Sequence, residues 1–383
     1  MRALILGARA PAALEMARRL ASRGHWIAVA DSVSCRITGS SRSVAETLRL
    51  PSPRTALAEY ARALDRAIRQ RSIDIVIPTC EEVFYLARVR AALPRECFVC
   101  SAPFELLARL HSKLDFIALA ANCGASVPET CAVHSLEEAR DWAAGRPLIL
   151  KPEFSRFGVH VRIHPQGLPA DATPLPPLGR WAAQLFCRGS ELCSYGIAFE
   201  GALQVNVCYR PTYRLRRSSS YYFESAAVPA IDKFVARLVR ETGFTGQISF
   251  DWIMGEDGVP TVLECNPRAT SGLHLLPGDA DLLRLLNGSA GLSFDADSAR
   301  PAMLAALMLV PGLPTSLMDG TLARWRRDWL RAHDVLANKS DRAPALGAMR
   351  DLLSFFAQSL RQRCTMREAA TRDIEWDGGP LQA

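Results

Sequence analysis

The segment from Ile248 to Arg268 constrains the fold most, because it places acidic residues inside two apolar runs. Its first half alternates apolar and polar side chains, and the apolar face consists of Ile248, Phe250, Trp252 and Met254. Glu256-Asp257-Gly258 has the composition of a tight turn, and residues 259–263 are suited to return as a second strand. The sequence therefore predicts a two-stranded β-hairpin.

Three oxygen-bearing side chains of this hairpin are predicted to converge. Glu264 and Asn266 are two residues apart, so they share one face of their strand, and Asp251 can join them from the partner strand. Such oxygens suit Mg²⁺, which usually also binds substrate phosphates. Arg268 adds a cation that can bind a phosphate or carboxylate. The alternative, solvated surface acids, is disfavoured because an unpaired charge inside apolar runs is costly. The pattern indicates a phosphoryl-transfer site.

Composition narrows the class of protein. With 383 residues, 49% hydrophobic and 22% charged, the chain is long enough for roughly two or three packed units. The net charge of +7 is not gathered on one dense basic face, which disfavours nucleic-acid binding. No apolar run is long enough for a membrane span, the N-terminus is a poor signal peptide, and the eleven scattered cysteines suit a reducing compartment. We expect a cytoplasmic protein with no nucleic-acid or membrane partner.

The first hundred or so residues alternate short apolar strands with helical patterns. This order predicts a parallel α/β sheet with right-handed crossovers. The first strand ends in Gly7-Ala8-Arg9, which lacks the second and third glycines of the dinucleotide-binding fingerprint. Asp31, at the end of the second strand, is a potential ribose ligand, so an NAD-binding oxidoreductase is an alternative that the missing glycines disfavour.

The middle of the chain is predicted to be an α+β region. An apolar strand is predicted at 147–152, with Lys151 near its end, and a short polar loop containing Ser155 and Gly158 follows it. Lys113 is placed in the first turn of a helix that Ser112 is expected to cap. The last eighty or so residues are predicted to be mostly helical, with the final dozen loose. An apolar helical stripe in that part is interpreted as core and comprises Leu346, Met349, Leu352, Leu353, Phe356 and Leu360.

The order of the polar residues resembles the ATP-grasp superfamily of carboxylate ligases. The matching residues are Lys113, Lys151-Pro152, a small polar loop, Gln184 to Glu191, Asp251 and Glu264-Cys265-Asn266-Pro267-Arg268. The resemblance implies an N-terminal parallel α/β (pre-ATP-grasp) domain at 1–111, followed by a two-lobed ATP-grasp domain. Its small lobe would span 112–182 and its large lobe, with the metal site, 183–300, before a mostly helical C-terminal extension at 301–383.

The resemblance also implies a nucleotide site for ATP. Lys113 and Lys151 would hold the phosphates, and the loop with Ser155 and Gly158 would cover them with backbone amides. Adenine would be bound at the hinge between the two lobes, by Gln184, Leu185 and Phe186. The ribose hydroxyls would be bound by Glu191, on the strand that follows. Two departures stand out: Gly158 is the only glycine of the phosphate loop, and Gln184 occupies a position where many members have Glu.

For the reaction, the resemblance implies that Asp251, Glu264 and Asn266 hold Mg²⁺, with Mn²⁺ as an alternative ion. Arg268 and Lys151 would act catalytically on the transferred phosphoryl group. The implied activity converts a small carboxylic acid into an acyl phosphate that an amine attacks, giving an amide, ADP and phosphate. A homodimer is compatible with this resemblance.

Two other activities remain open within the same resemblance: a bicarbonate-activating relative of the carboxylase or carbamoyl-phosphate type, and an ATP-binding protein without turnover. The sequence does not specify the substrates. Candidate residues for binding them lie before and after the hairpin and are Arg210, Tyr213, Arg214, Ser271 and His274.

Overall fold

The structure is a computed structural model and describes residues 1–155, 160–214, 220–289, 291, 295–296 and 299–381. Its N-terminal part is a parallel five-stranded sheet in the order β3-β2-β1-β4-β5, which confirms the predicted parallel α/β architecture. The strands are β1 (Arg2–Leu6), β2 (Trp26–Asp31), β3 (Glu46–Arg49), β4 (Ile75–Ile77) and β5 (Phe98–Val99). The helices are α1 (Pro11–Ser22), α2 (Arg36–Gly39), α3 (Leu57–Arg71), α4 (Glu82–Val89) and α5 (Phe104–His111).

The strand order of this sheet reverses between β1 and β4, which opens a crevice at their carboxyl ends. The loops that leave the two strands come close together there. Gly7 follows β1 with φ +71, and a Cβ at this position would lie 2.5 Å from Thr79 Oγ1 and 2.8 Å from Glu82 Oε1. Glycine is therefore required both by the backbone conformation and by the approach of the loop after β4.

A second, smaller unit carries an antiparallel four-stranded sheet in the order β6-β9-β7-β8. Its strands are β6 (Thr130–Val133), β7 (Leu148–Pro152), β8 (Arg162–His164) and β9 (Trp181–Leu185), and its helix is α7 (Leu136–Ala143). Helix α6 (Asp115–Asn122) precedes this sheet in the chain and packs instead against α5 and Phe250. Trp181, Leu148 and Leu150 pack under α7 to form its core. Lys151 stands near the end of β7, the position that the sequence predicts for it.

The largest sheet has seven strands in the order β14-β13-β10-β11-β12-β15-β16 and is antiparallel except for the β15–β16 pair. Its strands are β10 (Ser190–Phe199), β11 (Ala202–Arg214), β12 (Ser220–Ser225), β13 (Gly246–Met254), β14 (Pro260–Asn266), β15 (Ala302–Met303) and β16 (His333–Asp334). The helices packed near it are α8 (Pro229–Thr242) and α9 (Leu282–Leu286). The predicted hairpin is β13–β14, and its apolar face, with Phe250 and Trp252, packs against Phe234 of α8.

The C-terminal part is mostly helical, as predicted. Its helices are α10 (Ala305–Leu307), α11 (Leu313–Met318), α12 (Leu322–Arg331), α13 (Ala343–Gln362) and α14 (Met366–Thr371), with a π-helical turn at Met308–Gly312. Within the described ranges, none of the helices combines the length and the apolar character that a membrane span requires.

Two expectations about this C-terminal part are wrong. The apolar stripe of α13 is not core: Leu346, Leu353 and Leu360 are each more than 60% exposed. Helical periodicity identifies an apolar face but not the direction in which that face points. The segment around Ile374 and Trp376, within the final dozen residues, is not loose either, because both side chains are buried.

Candidate functional site

Two acidic residues meet at the edge of the largest sheet. Asp251 of β13 lies directly opposite Glu264 of β14, and Ser249 lies opposite Asn266, so the three predicted metal ligands occupy one face of the hairpin. A register shift follows immediately after Asp251: the next pair is Trp252 with Val262, which leaves Leu263 as the extra residue of β14. Cys193 of β10 is also opposite Asp251, with its Sγ 3.2 Å from Asp251 Oδ1.

The pKa values of the two carboxyl groups are shifted in opposite directions. Burial, followed by the charge of Glu264, raises the pKa of Asp251 to about 7. For Glu264, burial also acts to raise the pKa, but Lys113, Lys151, the hydrogen bond from Asp251 and Arg268 together lower it below its usual range. The pair therefore tends to hold one proton between its two members, on Asp251, and a cation bound there would replace that proton.

The donor set fits a magnesium ion that also binds phosphate oxygens. No group of three or more His, Cys, Asp and Glu side chains able to hold a metal occurs in the described part of the chain. Asp251, Glu264 and Asn266 supply two carboxylates and one amide instead. Mg²⁺ is typically held by one or two carboxylates, with substrate phosphates and water completing its coordination.

Arg268 lies just beyond β14 and is held beside the metal-ligand candidates. Its Nη2 donates to Asn266 Oδ1 at 2.9 Å, its Nη1 donates to the carbonyl of Ala269 at 3.2 Å, and its carbonyl accepts from Ser249 Oγ. Its Nε is 3.9 Å from Glu81 Oε1, which belongs to the loop after β4. Arg268 thus connects the hairpin to the crevice of the N-terminal sheet.

Two buried lysines face the same site, namely Lys151 of the smaller unit and Lys113 of the segment between α5 and α6. Lys151 Nζ donates to Gln184 Oε1 at 3.0 Å across the β7–β9 pair, and Gln184 Nε2 donates to Thr130 Oγ1 at 3.1 Å. Lys113 Nζ donates to the carbonyl of Ser155 at 2.8 Å. Burial lowers the pKa of Lys113, although Glu264 opposes the shift. Lys151 and the acidic pair come from different sheets, and Lys113 comes from the segment between α5 and α6, but both lysines lie close enough to Glu264 to lower its pKa.

Residues 184–186, which the resemblance places at the hinge between the two lobes, differ in burial and in hydrogen bonding. Gln184 is almost fully buried, so its amide holds Lys151 rather than projecting from the hinge. Leu185 and Phe186 are half-buried, and their N–H groups already donate to the carbonyls of Glu129 and Pro147.

Glu191 shares the sheet face of Cys193 and Asp251, because it is two residues from Cys193 on β10. It is largely exposed and forms an ion pair with Arg214. Ser155 is half-buried, with its Oγ donating to the carbonyl of Pro152. Gly158, the predicted phosphate-loop glycine, lies outside the described residues.

Two buried acids were not singled out from the sequence. Glu153 follows β7 and accepts bonds from Ser112 Oγ at 2.7 Å and from Arg180 at 2.8 and 2.9 Å, which fixes the segment carrying Lys113. Ser112 Oγ in turn accepts from Asp115 N at 3.1 Å. Helix α6 begins at Asp115, so Lys113 lies just before its first turn rather than within it. The second of these buried acids is Glu81, which lies beside Arg268. In both cases the sequence feature that could identify the residue is an acid shortly after an apolar strand.

Comparison of the sequence with protein-family models gives no match, and no curated protein matches it. Solved structures do match. An L-amino acid ligase from Bacillus licheniformis superposes with a TM-score of 0.55 at 16% identity, over 71% of this chain and 68% of that one. An N5-carboxyaminoimidazole synthetase from Staphylococcus aureus, complexed with ADP, gives a TM-score of 0.62 at 13% identity over 82% and 86%.

A biotin carboxylase from Campylobacter jejuni gives a TM-score of 0.60 at 13% identity, over 78% of this chain and 74% of that one. The chain has the ATP-grasp fold. This result confirms the fold class predicted from the sequence.

The crevice of the N-terminal domain is filled by the protein's own C-terminal segment, residues 373–379. Arg9 donates to the Asp373 carboxylate at 2.7 Å from both Nη atoms and also forms an ion pair with Asp31. Trp376 N donates to Glu81 Oε2 at 3.3 Å. Asp31 is thus committed to an internal ion pair, and protein atoms occupy the place where a dinucleotide would lie, which disfavours the oxidoreductase alternative.

Several potential substrate ligands have structural roles in this ATP-grasp fold. Tyr213 donates to Asp328 at 2.9 Å, and Arg214 pairs with Glu191. His274 belongs to a 3-10 turn and is buried, with its Nδ1 3.8 Å from Glu15 of α1. Arg210 is exposed and Ser271 is half-buried.

Proposed function

We propose that this protein is an ATP-dependent ligase that joins a small carboxylic acid to an amine. The observation that carries the proposal is the facing pair of Asp251 and Glu264, with Lys113 and Lys151 within electrostatic range. Two half-buried acids on adjacent strands repel each other, and a structural role gives no reason to place them there. A cation between the acids and a polyphosphate beside the lysines would neutralise both sets of charges.

The chemistry consists of two displacements. An oxygen of the substrate carboxylate attacks the γ-phosphorus of ATP, and the bond from that phosphorus to the bridging oxygen breaks, releasing ADP. The amine nitrogen then attacks the acyl carbon of the acyl phosphate, the carbon–oxygen bond to phosphate breaks, and the nitrogen loses a proton. The acid is activated because phosphate is a far better leaving group than oxide.

The side chains of the protein act mainly through charge and position. Lys113 and Lys151 are cations held by hydrogen bonds in fixed places, so they can stabilise the phosphate oxygens without reorganising. Arg268, anchored on Asn266, is placed to stabilise the transferred phosphoryl group. Mg²⁺, or Mn²⁺, held by Asp251, Glu264 and Asn266, would supply the remaining neutralisation of charge on the phosphates.

The test is phosphate and ADP release, screened over pairs of amino acids and over small acids with amines. We expect turnover with at least one pair and its loss, by about a thousandfold, in Glu264→Gln. Glu256→Gln is the matched control, because Glu256 is exposed in the turn of the same hairpin. Turnover in Glu264→Gln equal to that of the control would refute the proposed site.

A second candidate is activation of bicarbonate instead of an organic acid. It is favoured by the structural matches to biotin carboxylase and N5-carboxyaminoimidazole synthetase, which resemble this fold as well as the amino acid ligase does. ADP release that depends on bicarbonate and needs no organic acid would support this candidate over the first.

A further inference from the structure

Exposed apolar side chains are concentrated in the C-terminal part of the chain. Among the large apolar residues that the structure shows as exposed, Met1, Leu178 and Val259 are the three that lie outside residues 309–366. Monomeric proteins rarely expose contiguous apolar patches, whereas interfaces do. The clustering therefore marks this part of the molecule as a contact surface.

Helix α13 carries the most regular part of that surface. Six of its large apolar residues are 49–67% exposed, and they are Leu346, Met349, Leu352, Leu353, Phe356 and Leu360. Five of them, all except Leu352, follow alternating steps of three and four residues, which is the spacing of a seam that packs against another helix. Because that spacing keeps side chains on one narrow face, the partner that fits it is itself a helix.

The opposite face of α13 is the one that docks on the protein. Gly347 lies against the carbonyl of Arg36 so closely that a Cβ would clash with it. Asp351 is buried and accepts a hydrogen bond from Ile37 N at 2.8 Å, which fixes α2 to α13. The apolar seam thus points away from the protein, on a helix whose orientation is set by its other side.

We propose that α13 is a dimerisation helix that pairs in antiparallel orientation with α13 of a second copy of this chain. The seam is its own complement under a two-fold axis near Leu353. Leu346 would lie level with Leu360 of the other copy, Leu353 would meet its own counterpart, and Met349 would lie within one residue of the level of Phe356. Every residue of the seam thus gains an apolar neighbour. This proposal does not depend on the catalytic function.

The charges on α13 favour the antiparallel arrangement. Arg350 and Arg361 are exposed, whereas the helix's only acid, Asp351, is buried. Antiparallel pairing would place Arg350 level with Phe356 of the partner helix and Arg361 level with Ala345, so neither would face its own copy. Parallel pairing would bring each arginine level with itself. Opposed helix dipoles also favour the antiparallel form.

The area of the seam is sufficient for a weak to moderate dimer. The five seam residues and Leu352, which flanks them, would together bury about 1,200 Å² over the two copies, which is at the lower end of standard specific interfaces. We therefore expect association in the micromolar range, with dimer and monomer both detectable on dilution.

The experiment is light scattering coupled to size-exclusion chromatography of the full chain, over a dilution series in the micromolar range. We expect a dimer that dissociates on dilution, and a monomer at every concentration for Leu353→Glu. Leu178→Glu, at an exposed leucine outside this surface, is the matched control and should remain dimeric. Circular dichroism would verify that both variants fold.

Two results would overturn the proposal: a wild-type protein that is monomeric throughout, or a dimer that survives Leu353→Glu. Sedimentation with anionic phospholipid vesicles completes the test. Vesicle binding by a monomeric wild type that is lost in Leu353→Glu would assign the seam to a lipid surface and would also overturn the proposal.

Discussion

Asp251 and Glu264 face each other across adjacent strands, in the directly opposed register of an antiparallel pair. Like charges in this position destabilise a sheet. The cost is reduced by a proton on Asp251 and by the neighbouring lysines, but these compensations depend on pH and on ligand. The pair is therefore expected to weaken the ligand-free protein and to stabilise the ligand-bound one.

Replacing Asp251 with Asn should separate these two effects. Thermal unfolding in EDTA should give an unchanged or slightly higher Tm, because the repulsion with Glu264 is removed. Mg·ATP should no longer raise the Tm, and turnover should fall by about a thousandfold. A lower Tm in EDTA combined with retained turnover would mean that Asp251 is a structural residue.

The raised pKa of Asp251 predicts how metal binding depends on pH. In the folded protein without metal, this group keeps its proton up to a pH of about 7, whereas the unfolded chain releases it near its ordinary pKa. Its contribution to stability therefore falls as the pH rises through that window. A metal ion must displace the proton, so affinity for Mn²⁺ should increase with pH and level off above about 7.

Calorimetry in two buffers of different ionisation heat measures the proton directly. Near pH 6, binding of Mn²⁺ should release about one proton, and in Asp251→Asn it should release none. Equal proton release in the two proteins would assign the titration to another group.

The hydrogen bond between Lys151 and Gln184 should be required for a stable small lobe. Gln184→Leu leaves the Lys151 ammonium buried without its acceptor and should lower the free energy of unfolding by about 1–3 kcal/mol. Gln184→Glu preserves the acceptor and should be close to the wild type in urea unfolding. If both variants unfold at the wild-type urea concentration, the bond contributes nothing.

Gly272 lies in the 3-10 turn that follows the metal-ligand candidates, where this turn packs closely against β10 and β11 of the largest sheet. A Cβ there would be 2.5 Å from Tyr195 Cβ and 3.0 Å from Tyr209 Cε1. Gly272→Ala should therefore lower the free energy of unfolding by about 1–3 kcal/mol, through forced displacement of the turn. Gly278→Ala is the control, because a Cβ at Gly278 meets nothing within 4 Å. Similar unfolding of both variants would contradict this account.

Trp376 should anchor the C-terminal segment. Its ring lies 5.0 Å from the rings of Phe84 and Phe154 and 5.2 Å from that of Phe104. Trp376→Ala should cost about 3–5 kcal/mol in the free energy of unfolding, because it leaves a large cavity between domains. Asp377→Ala removes an exposed ion pair with Arg54 and an exposed hydrogen bond from Gly379 N, and should cost less than about 1 kcal/mol. A small effect of Trp376→Ala would mean that the segment is only loosely attached.

The sequence predicts the part of the site that depends on local pattern. Alternation along β13 and β14, together with one turn, suffices to place Asp251, Glu264 and Asn266 on one hairpin. The direct opposition of Asp251 and Glu264 depends in addition on the register shift after Asp251, which the pattern does not predict. The partners of Lys151 and Arg268 are not predictable in this way. The Lys151–Gln184 bond depends on the register of β7 and β9, and the approach of Glu81 to Arg268 depends on how two domains pack.

The two wrong expectations have the same physical origin. The stripe of α13 is a sound apolar pattern, but its burial depends on Gly347 and Asp351 turning the other face inward. Trp376 lies in a stretch rich in Gly and Asp, and its ring is buried by Phe84, Phe104 and Phe154, which are distant in sequence. Local composition carries no information about such contacts.

The most direct test of the proposed metal site is a crystal structure with Mn²⁺ and a non-hydrolysable ATP analogue, with the metal located by its anomalous scattering. We predict a Mn²⁺ peak coordinated by the carboxylates of Asp251 and Glu264 and by phosphate oxygens, with Lys113 and Lys151 on the phosphates. A peak elsewhere, with the two carboxyl groups turned away from the nucleotide, would contradict the account.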